Sequence, residues 1–380
     1  MSGQCLVTAV RRIFVFMKLT HFSLVLVLLG TACSSSKESS PTTPPSTAPA
    51  ASQSDERLTG LVESERSKQT LVGFSMTVAR PDGQLVSAAS GDAVLDPERP
   101  FKSTQRSYIG SVTKTFTAVV IHQLVEEGKL SLDATIGALV PEQPRGDRIR
   151  VRHLLSHTSG VPEYLTTIEK TPEQLTRVWA PAELIAIANQ QPSLGEPGTV
   201  AVYANTNYIL LGMIVERVTG TSWEENVRHR ILEPLALTQT SYGLSPEAAH
   251  GYVRDQASAL HDVLGTSHPS VGWSAGGMAS STEDLARYAR AIFDAKIVRP
   301  ETLAKMIAPV ASEDKGGFVI QYGLGLEQTE VGGVHVIGHA GDLPGYAAFI
   351  GMNNGNVIAA ASNTDRADVI SPSLTVLQNL

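Results

Sequence analysis

Cysteine is nearly absent from this sequence: two among 380 residues, Cys5 and Cys33, both close to the N-terminus. That excludes a disulfide-stapled scaffold and a thiolate zinc site. A basic excess is also missing. Thirty Lys+Arg against 37 Asp+Glu leave a net charge of −7, so the chain carries no footprint for nucleic acid. Charged residues make up 18% and hydrophobic residues 42%, which suits a globular protein with a sizeable core and argues against a mostly disordered or polytopic membrane chain. The apolar run Phe22 to Leu29, interrupted only by Ser23, is too short for a membrane span.

What stands at the N-terminus reads as an export signal. Arg11, Arg12 and Lys18 are the only charges before Cys33, the apolar run follows them, and Gly30-Thr31-Ala32 precede the cysteine. Residues 1–33 are therefore expected to be a signal, with Cys33 the lipidated residue of a bacterial lipoprotein and an ordinary cleavage site as the rival. Met17 is an alternative start. Residues 34–54 hold 18 Ser, Thr, Pro or Ala in 21 positions, a flexible tether with nothing to pack. The expectation is an exported body anchored to the cell envelope by lipid alone. Removing three cations leaves that body at 27 against 37, or −10.

Residues 55–380 are expected to form one catalytic body. Asp55–Thr70 has the spacing of an amphipathic helix through Leu58, Leu61 and Val62. Leu71–Arg80 and Gln84–Ser90 read as a hairpin around Pro81-Asp82-Gly83. Ser111–Glu127 is helical, with Gly128 as its stop. The middle is mostly helices and loops. Strands return at Phe318–Leu326, Val334–Ala340, Tyr346–Met352 and Val357–Ser362, with Asn353–Asn356 as a turn and Ser371-Pro372 opening a closing helix. Strands at both ends with helices between predict an α+β fold, an antiparallel sheet flanked by helices with a helical insertion.

Three serines are candidate nucleophiles. Ser111-Val112-Thr113-Lys114 is an S-x-x-K tetrad, and residues three apart on a helix share a face. A serine needs a base, and a lysine serves once its proton affinity is lowered. The same tetrad at Ser34–Lys37 lies in the tether, and that at Ser312–Lys315 lies in a polar stretch that reads as a loop. Gly272-Trp273-Ser274-Ala275-Gly276 matches G-x-S-x-G, and the order Ser274, Asp314, His339 fits a hydrolase triad. Yet no buried strand precedes it and no helix follows directly, so a Gly-rich loop bringing Trp273 near a site is the better reading. Tyr203-Ala204-Asn205 offers a proton shuttle and an amide that can bind a substrate amide. His339-Ala340-Gly341 closes a strand. His153 and His157 are four apart, but no Glu lies between them and Gly160 ends any helix, so metal binding is not expected. Arg145, Arg148, Arg150 and Arg152 alternate with Ile149 and Val151 as a solvated face of an extended segment.

In the order G-S-V-T-K, HLLSHTSGVP, Y-A-N-T-N, SAGGMASSTEDL and G-H-A-G, the sequence resembles the serine β-lactamase and D-alanyl-D-alanine peptidase superfamily. It is most similar to the branch of AmpC-type β-lactamases, Streptomyces-type carboxypeptidases, D-aminopeptidases and related esterases, from roughly residue 56 onward. The resemblance implies that Ser111 is acylated, that Lys114 is the base, that Tyr203 protonates the leaving group and later activates water, and that Asn205 holds the substrate amide. His339 and Gly341 take the place of a Lys-Thr-Gly motif, with Gly341 letting substrate lie close to the strand. The backbone N–H groups of Ser111 and Asp342 are implied as the oxyanion hole. Ala204 replaces a frequent Ser, and no arginine for a substrate carboxylate is identified. His339 in place of Lys trades a permanent cation for an imidazole titrating near neutrality.

The expected activity is a D-Ala-D-Ala carboxypeptidase on cell-wall peptides, working as a monomer without metal or organic cofactor. An esterase, a D-aminopeptidase and a β-lactamase are the enzymatic alternatives, to be separated by pocket width near Tyr164, Trp273 and Tyr346. A β-lactam- or muropeptide-binding sensor is the non-enzymatic one.

Overall fold

The computed structural model describes residues 53–168, 170–314 and 319–379. The expected signal, Cys33 and nearly all of the tether lie outside the described residues.

Nine strands form one sheet: β1 (Gly73–Ala79), β2 (Leu85–Leu95), β3 (Glu98–Pro100), β4 (Ala311–Asp314), β5 (Val319–Tyr322), β6 (Glu327–Val331), β7 (Val334–Leu343), β8 (Tyr346–Asn353) and β9 (Asn356–Ser362). Their order is β3-β2-β1-β9-β8-β7-β6-β5-β4, and each neighbouring pair is antiparallel. The first long strand thus pairs with the last.

The central strands are buried on both faces, which explains their continuous apolar runs. Side chains alternate along a strand, so neighbours feed different cores. Ala347, Phe349, Ile358 and Ala360 pack with Leu58 and Val62 of helix α1 (Glu56–Lys68). Ala348, Ile350, Val357 and Ala359 pack into the helical body, including Phe116 and Val119 of α2 (Thr113–Glu126) and residues of α3 (Asn205–Thr219). Ser281 caps helix α5 (Thr282–Phe293), which follows the single turn α4 (Trp273–Gly276). Helix α6 (Ile370–Gln378) returns to the α1 face through Leu374 and Leu377. Among the described residues no helix is long and apolar enough to cross a membrane.

Local chemistry sets the element ends. Asp55 accepts from the N–H groups of Arg57 and Leu58 at 2.9 and 3.1 Å and starts α1. Gly220 ends α3 with φ +73°. Three expectations need correction. The strand expected over Phe318–Leu326 ends at Tyr322; residues 323–326 interrupt the sheet, with Gly325 at φ +115°, and β6 begins only at Glu327. The polar stretch around Ser312 is not a loop: Ala311–Asp314 is the sheet's edge strand, polar because it is half exposed. The closing helix starts at Ile370, where Asp368 Oδ1 accepts from Ile370 and Ser371 N–H at 3.1 and 2.9 Å.

Candidate active site

Ser111 sits in a tight turn, Gly110–Val112, that runs straight into α2. Gly110 has φ +49°, and a Cβ there would meet Asp342 N at 2.7 Å. A Cβ on Gly341 would meet Ile109 O at 2.1 Å and Ser111 N at 2.7 Å. These two glycines let the serine turn lie directly against β7, bringing the backbones of Ser111 and Asp342 into one corner. On the side where a Cβ would stand, Gly341 thus faces the chain's own turn.

Lys114, one helical turn on, is fully buried. Its Nζ lies 2.9 Å from Ser111 Oγ, 2.6 Å from Asn205 Oδ1 and 2.8 Å from Ala275 O. Burial lowers its pKa from 10.5 to about 7, against the opposing fields of Glu163 and Glu327. Lys114 is thus poised to lose its proton near neutrality. Tyr203 Oη donates to Ser111 Oγ at 2.7 Å. Burial holds the Tyr203 phenol protonated, well above its usual range. Its ring stacks on His157 with centroids 4.4 Å apart. Ser111 Oγ thus receives a phenol on one side and a buried amine on the other.

Sequence reasoning missed several residues that hold this group. Glu163 Oε2 accepts from Asn205 N at 2.5 Å and from Asn205 Nδ2 at 3.1 Å. Glu313 Oε2 on β4 accepts from Tyr203 N at 3.3 Å and from Tyr322 Oη at 2.9 Å. His157 Nδ1 accepts from Ala204 N at 3.2 Å. Position is the signal the sequence offers: His157 opens the HTSGVP block and Glu163 follows it, while Glu313 lies in a polar stretch that reads as a loop.

His339 is buried, with Nδ1 2.6 Å from Ala340 O and Nε2 3.4 Å from Glu327 Oε1. Burial, with help from Lys114, pushes its pKa down to about 3. Burial thus favours the uncharged ring, with Nδ1 donating to Ala340 O. This corrects the expectation of an imidazole titrating near pH 7.

Trp273 is also corrected. Its ring is buried, lies 5.9 Å from the Trp223 ring and donates Nε1 to Glu224 at 2.8 Å. The α4 segment reaches the site by backbone, through the Ala275 carbonyl on Lys114. Tyr164 and Tyr346 are likewise buried and donate to the carbonyls of Val271 and Ala249, so they do not set the width of an open pocket. Ser274 is fully buried and its hydroxyl proton goes to Tyr208 O at 2.9 Å. His153 accepts from Arg150 N at 3.1 Å. The arginine cluster pairs with Glu196 and Asp133 on the surface, and Arg152 lies in a short helix rather than an extended segment.

A serine bonded to a buried lysine and a tyrosine, beside an antiparallel sheet with helices on both faces, is the fold and site of the β-lactamase and penicillin-binding-protein type. The Beta-lactamase family model matches residues 58–372, and the chain belongs to that family. It is 28% identical to Penicillin-binding protein 4* of Bacillus subtilis over 297 residues, 73% of this chain and 65% of that protein. It covers 54% of the putative penicillin-binding protein PbpX of the same organism, so the chain spans less than two thirds of these curated relatives. Among solved structures, the D-amino acid amidase of Ochrobactrum anthropi SV3 aligns with TM-score 0.77 and 27% identity over 85% of this chain and 97% of that one. A D-stereospecific amidohydrolase from Streptomyces sp. aligns at 0.73 and 28% over 84% and 97%.

Proposed function

We propose that the protein hydrolyses amide or ester bonds through an acyl-enzyme on Ser111, and that its substrates present an uncharged leaving side, as D-amino-acid amides do. The observation that carries the substrate reading is a buried imidazole, His339, where a lysine would bring a permanent cation for a substrate carboxylate; burial favours its uncharged form. The amidase neighbours agree with it. Cleavage of D-Ala-D-Ala peptides is the second reading, favoured by the penicillin-binding relatives.

In the proposed reaction Lys114 takes the proton of Ser111 Oγ as that oxygen attacks the carbonyl carbon. The oxyanion is held by the N–H groups of Ser111 and Asp342. Asn205 Nδ2 has a second hydrogen for the substrate carbonyl, and Tyr203 gives its proton to the departing nitrogen or oxygen. The Lys114 ammonium then restores the phenol. Water then attacks the acyl carbon beside Tyr203; its proton passes through the Tyr203 hydroxyl to the neutral Lys114 amine and returns to Ser111 Oγ as the ester bond breaks. On this reading no step needs a metal or organic cofactor. We also propose that the body is exported and held to the envelope through Cys33, which a Cys33→Ser variant released from the membrane fraction would support.

The test is hydrolysis of D-phenylalanine amide, p-nitrophenyl acetate and a D-Ala-D-Ala peptide by wild type and Ser111→Ala, with intact mass after benzylpenicillin. Turnover of the amide well above the peptide, lost in Ser111→Ala, is expected. Faster release of D-alanine from the peptide would install the carboxypeptidase reading instead. A persistent penicillin adduct without turnover of any substrate would make the protein a sensor.

A further inference from the structure

We propose that Glu163 is a positioning residue for this reaction: by holding the Asn205 amide in one orientation, it fixes the direction in which Lys114 presents its lone pair to Ser111. The proposal rests on the reading of Ser111 as nucleophile and Lys114 as base.

A neutral amine has two N–H groups and one lone pair. Of the three partners of Lys114 Nζ, Ala275 O and Asn205 Oδ1 can only accept. They take both N–H groups, and the lone pair is left facing Ser111 Oγ. This works only while Asn205 turns its oxygen to the lysine. A flipped amide would set its NH₂ against Nζ and draw the lone pair away from the serine.

Glu163 forbids the flip. Burial raises the Glu163 pKa, and the N–H groups of Leu165 and Asn205 together with Lys114 oppose that shift and favour the carboxylate. A carboxylate only accepts, so Oε2 can face Asn205 Nδ2, at 3.1 Å, but not Oδ1. The chemistry of the partners thereby settles which end of the amide points where. The carboxylate is itself pinned, by Asn205 N at 2.5 Å on Oε2 and by Leu165 N at 2.9 Å on Oε1. The loop carrying it is stapled to α3 on either side. Thr206 Oγ1 donates to Pro162 O at 2.6 Å and accepts from Tyr164 N at 3.1 Å.

Charge follows the same path. The groups facing Lys114 are Glu163 and Glu327, the rings of Tyr203 and Tyr208 at 4.8 and 5.7 Å, and His339. Those facing Glu163 are Lys114, Tyr164 and Tyr203. The tyrosines stay protonated and His339 stays neutral around neutrality. The carboxylates are then what favours the ammonium form of Lys114, and removing Glu163 makes its proton easier to lose.

The experiment follows the acylation burst with p-nitrophenyl acetate across pH, normalised to burst amplitude so that only folded enzyme counts. Glu163→Gln brings an NH₂ against an N–H donor and removes the charge. Its plateau rate is expected to fall about tenfold or more, and its acid limb to move to lower pH. Glu163→Asp keeps the charge but falls one methylene short. Its plateau should drop while the limb stays, and it serves alone if the Gln variant does not fold. On the plateau, Asn205→Ala combined with Glu163→Gln should be no slower than Asn205→Ala alone. A wild-type plateau and limb in Glu163→Gln, or losses that multiply in the double variant, would overturn the proposal. Ser111→Ala runs alongside. If it abolishes the burst while Glu163→Gln is unaffected, only the role of Glu163 falls; if it keeps the burst, the nucleophile reading falls first.

Discussion

At Ser111 the decisive feature is how few protons the surrounding atoms can trade. Tyr203 donates to the serine oxygen, Lys114 accepts from it when neutral, and neighbouring carbonyls absorb the remaining N–H groups. Lys114 has a pKa lowered to about 7, so the free base is lost as pH falls below that value. The rate should therefore decline on the acid side of about pH 7. Tyr203, with its phenol held well above the usual range, contributes no fall on the alkaline side near neutrality. Tyr203→Phe separates the two roles. It removes the hydroxyl and leaves the ring to stack on His157. The plateau of kcat/KM is expected to drop by about 10²–10⁴-fold, the acid limb to stay in place, and the melting temperature to change little. A variant with unaltered turnover of D-phenylalanine amide would remove Tyr203 from the proton path.

At the scale of elements, the site is a joint between the serine turn and strand β7. The joint exists because Gly110 and Gly341 lack side chains where the two backbones meet. Gly341→Ala would put a methyl 2.1 Å from Ile109 O, so turn and strand must part. Overpacking of this kind costs about 1–3 kcal/mol, and a shift of about 1 Å at a reacting group costs on the order of 10²-fold in rate. The variant is expected to lose both melting temperature and acylation, and full activity in it would show that the joint does not align the site. Much of this was legible in the sequence. Ser111, Lys114, Tyr203 and Asn205 stand in ordered blocks, and periodicity placed α1, α2 and the hairpins. The rest was hidden for physical reasons. A half-exposed edge strand such as Ala311–Asp314 has no apolar run to announce it. Whether an aromatic ring such as Trp273 faces a site or the core depends on what packs beyond it. Glu163 reads as an ordinary loop carboxylate until α3 brings Asn205 beside it.

Over the whole molecule, the termini close the fold. Strand β1 pairs with β9, and helices α1 and α6, from opposite ends of the described chain, cover the same sheet face. Gln69 and Asp368 join the two ends directly, with Gln69 Nε2 donating to Asp368 O at 3.0 Å and Asp368 N to Gln69 Oε1 at 2.9 Å. Pairings this distant in sequence come late and leave the sheet face bare until both ends arrive. Truncation at the two ends should therefore have unequal effects. A chain beginning at Gln53 keeps the bonds of Gln53 N to Leu85 O at 2.9 Å and of Ser87 N to Gln53 O at 3.0 Å, and loses only a Ser/Thr/Pro/Ala stretch and what precedes it. Its melting temperature and activity should match those of the full chain. A chain ending at Val369 loses Leu374 and Leu377, each buried for roughly 1.5–3 kcal/mol, and uncovers Phe349 and Ile358. Losses of that size approach the whole margin of a folded domain. This second chain should melt far lower or aggregate, as read by circular dichroism and size exclusion. Wild-type melting in it would mean that the sheet face is held without α6, and that the active-site joint, which lies on the opposite face, does not depend on closure by the chain ends.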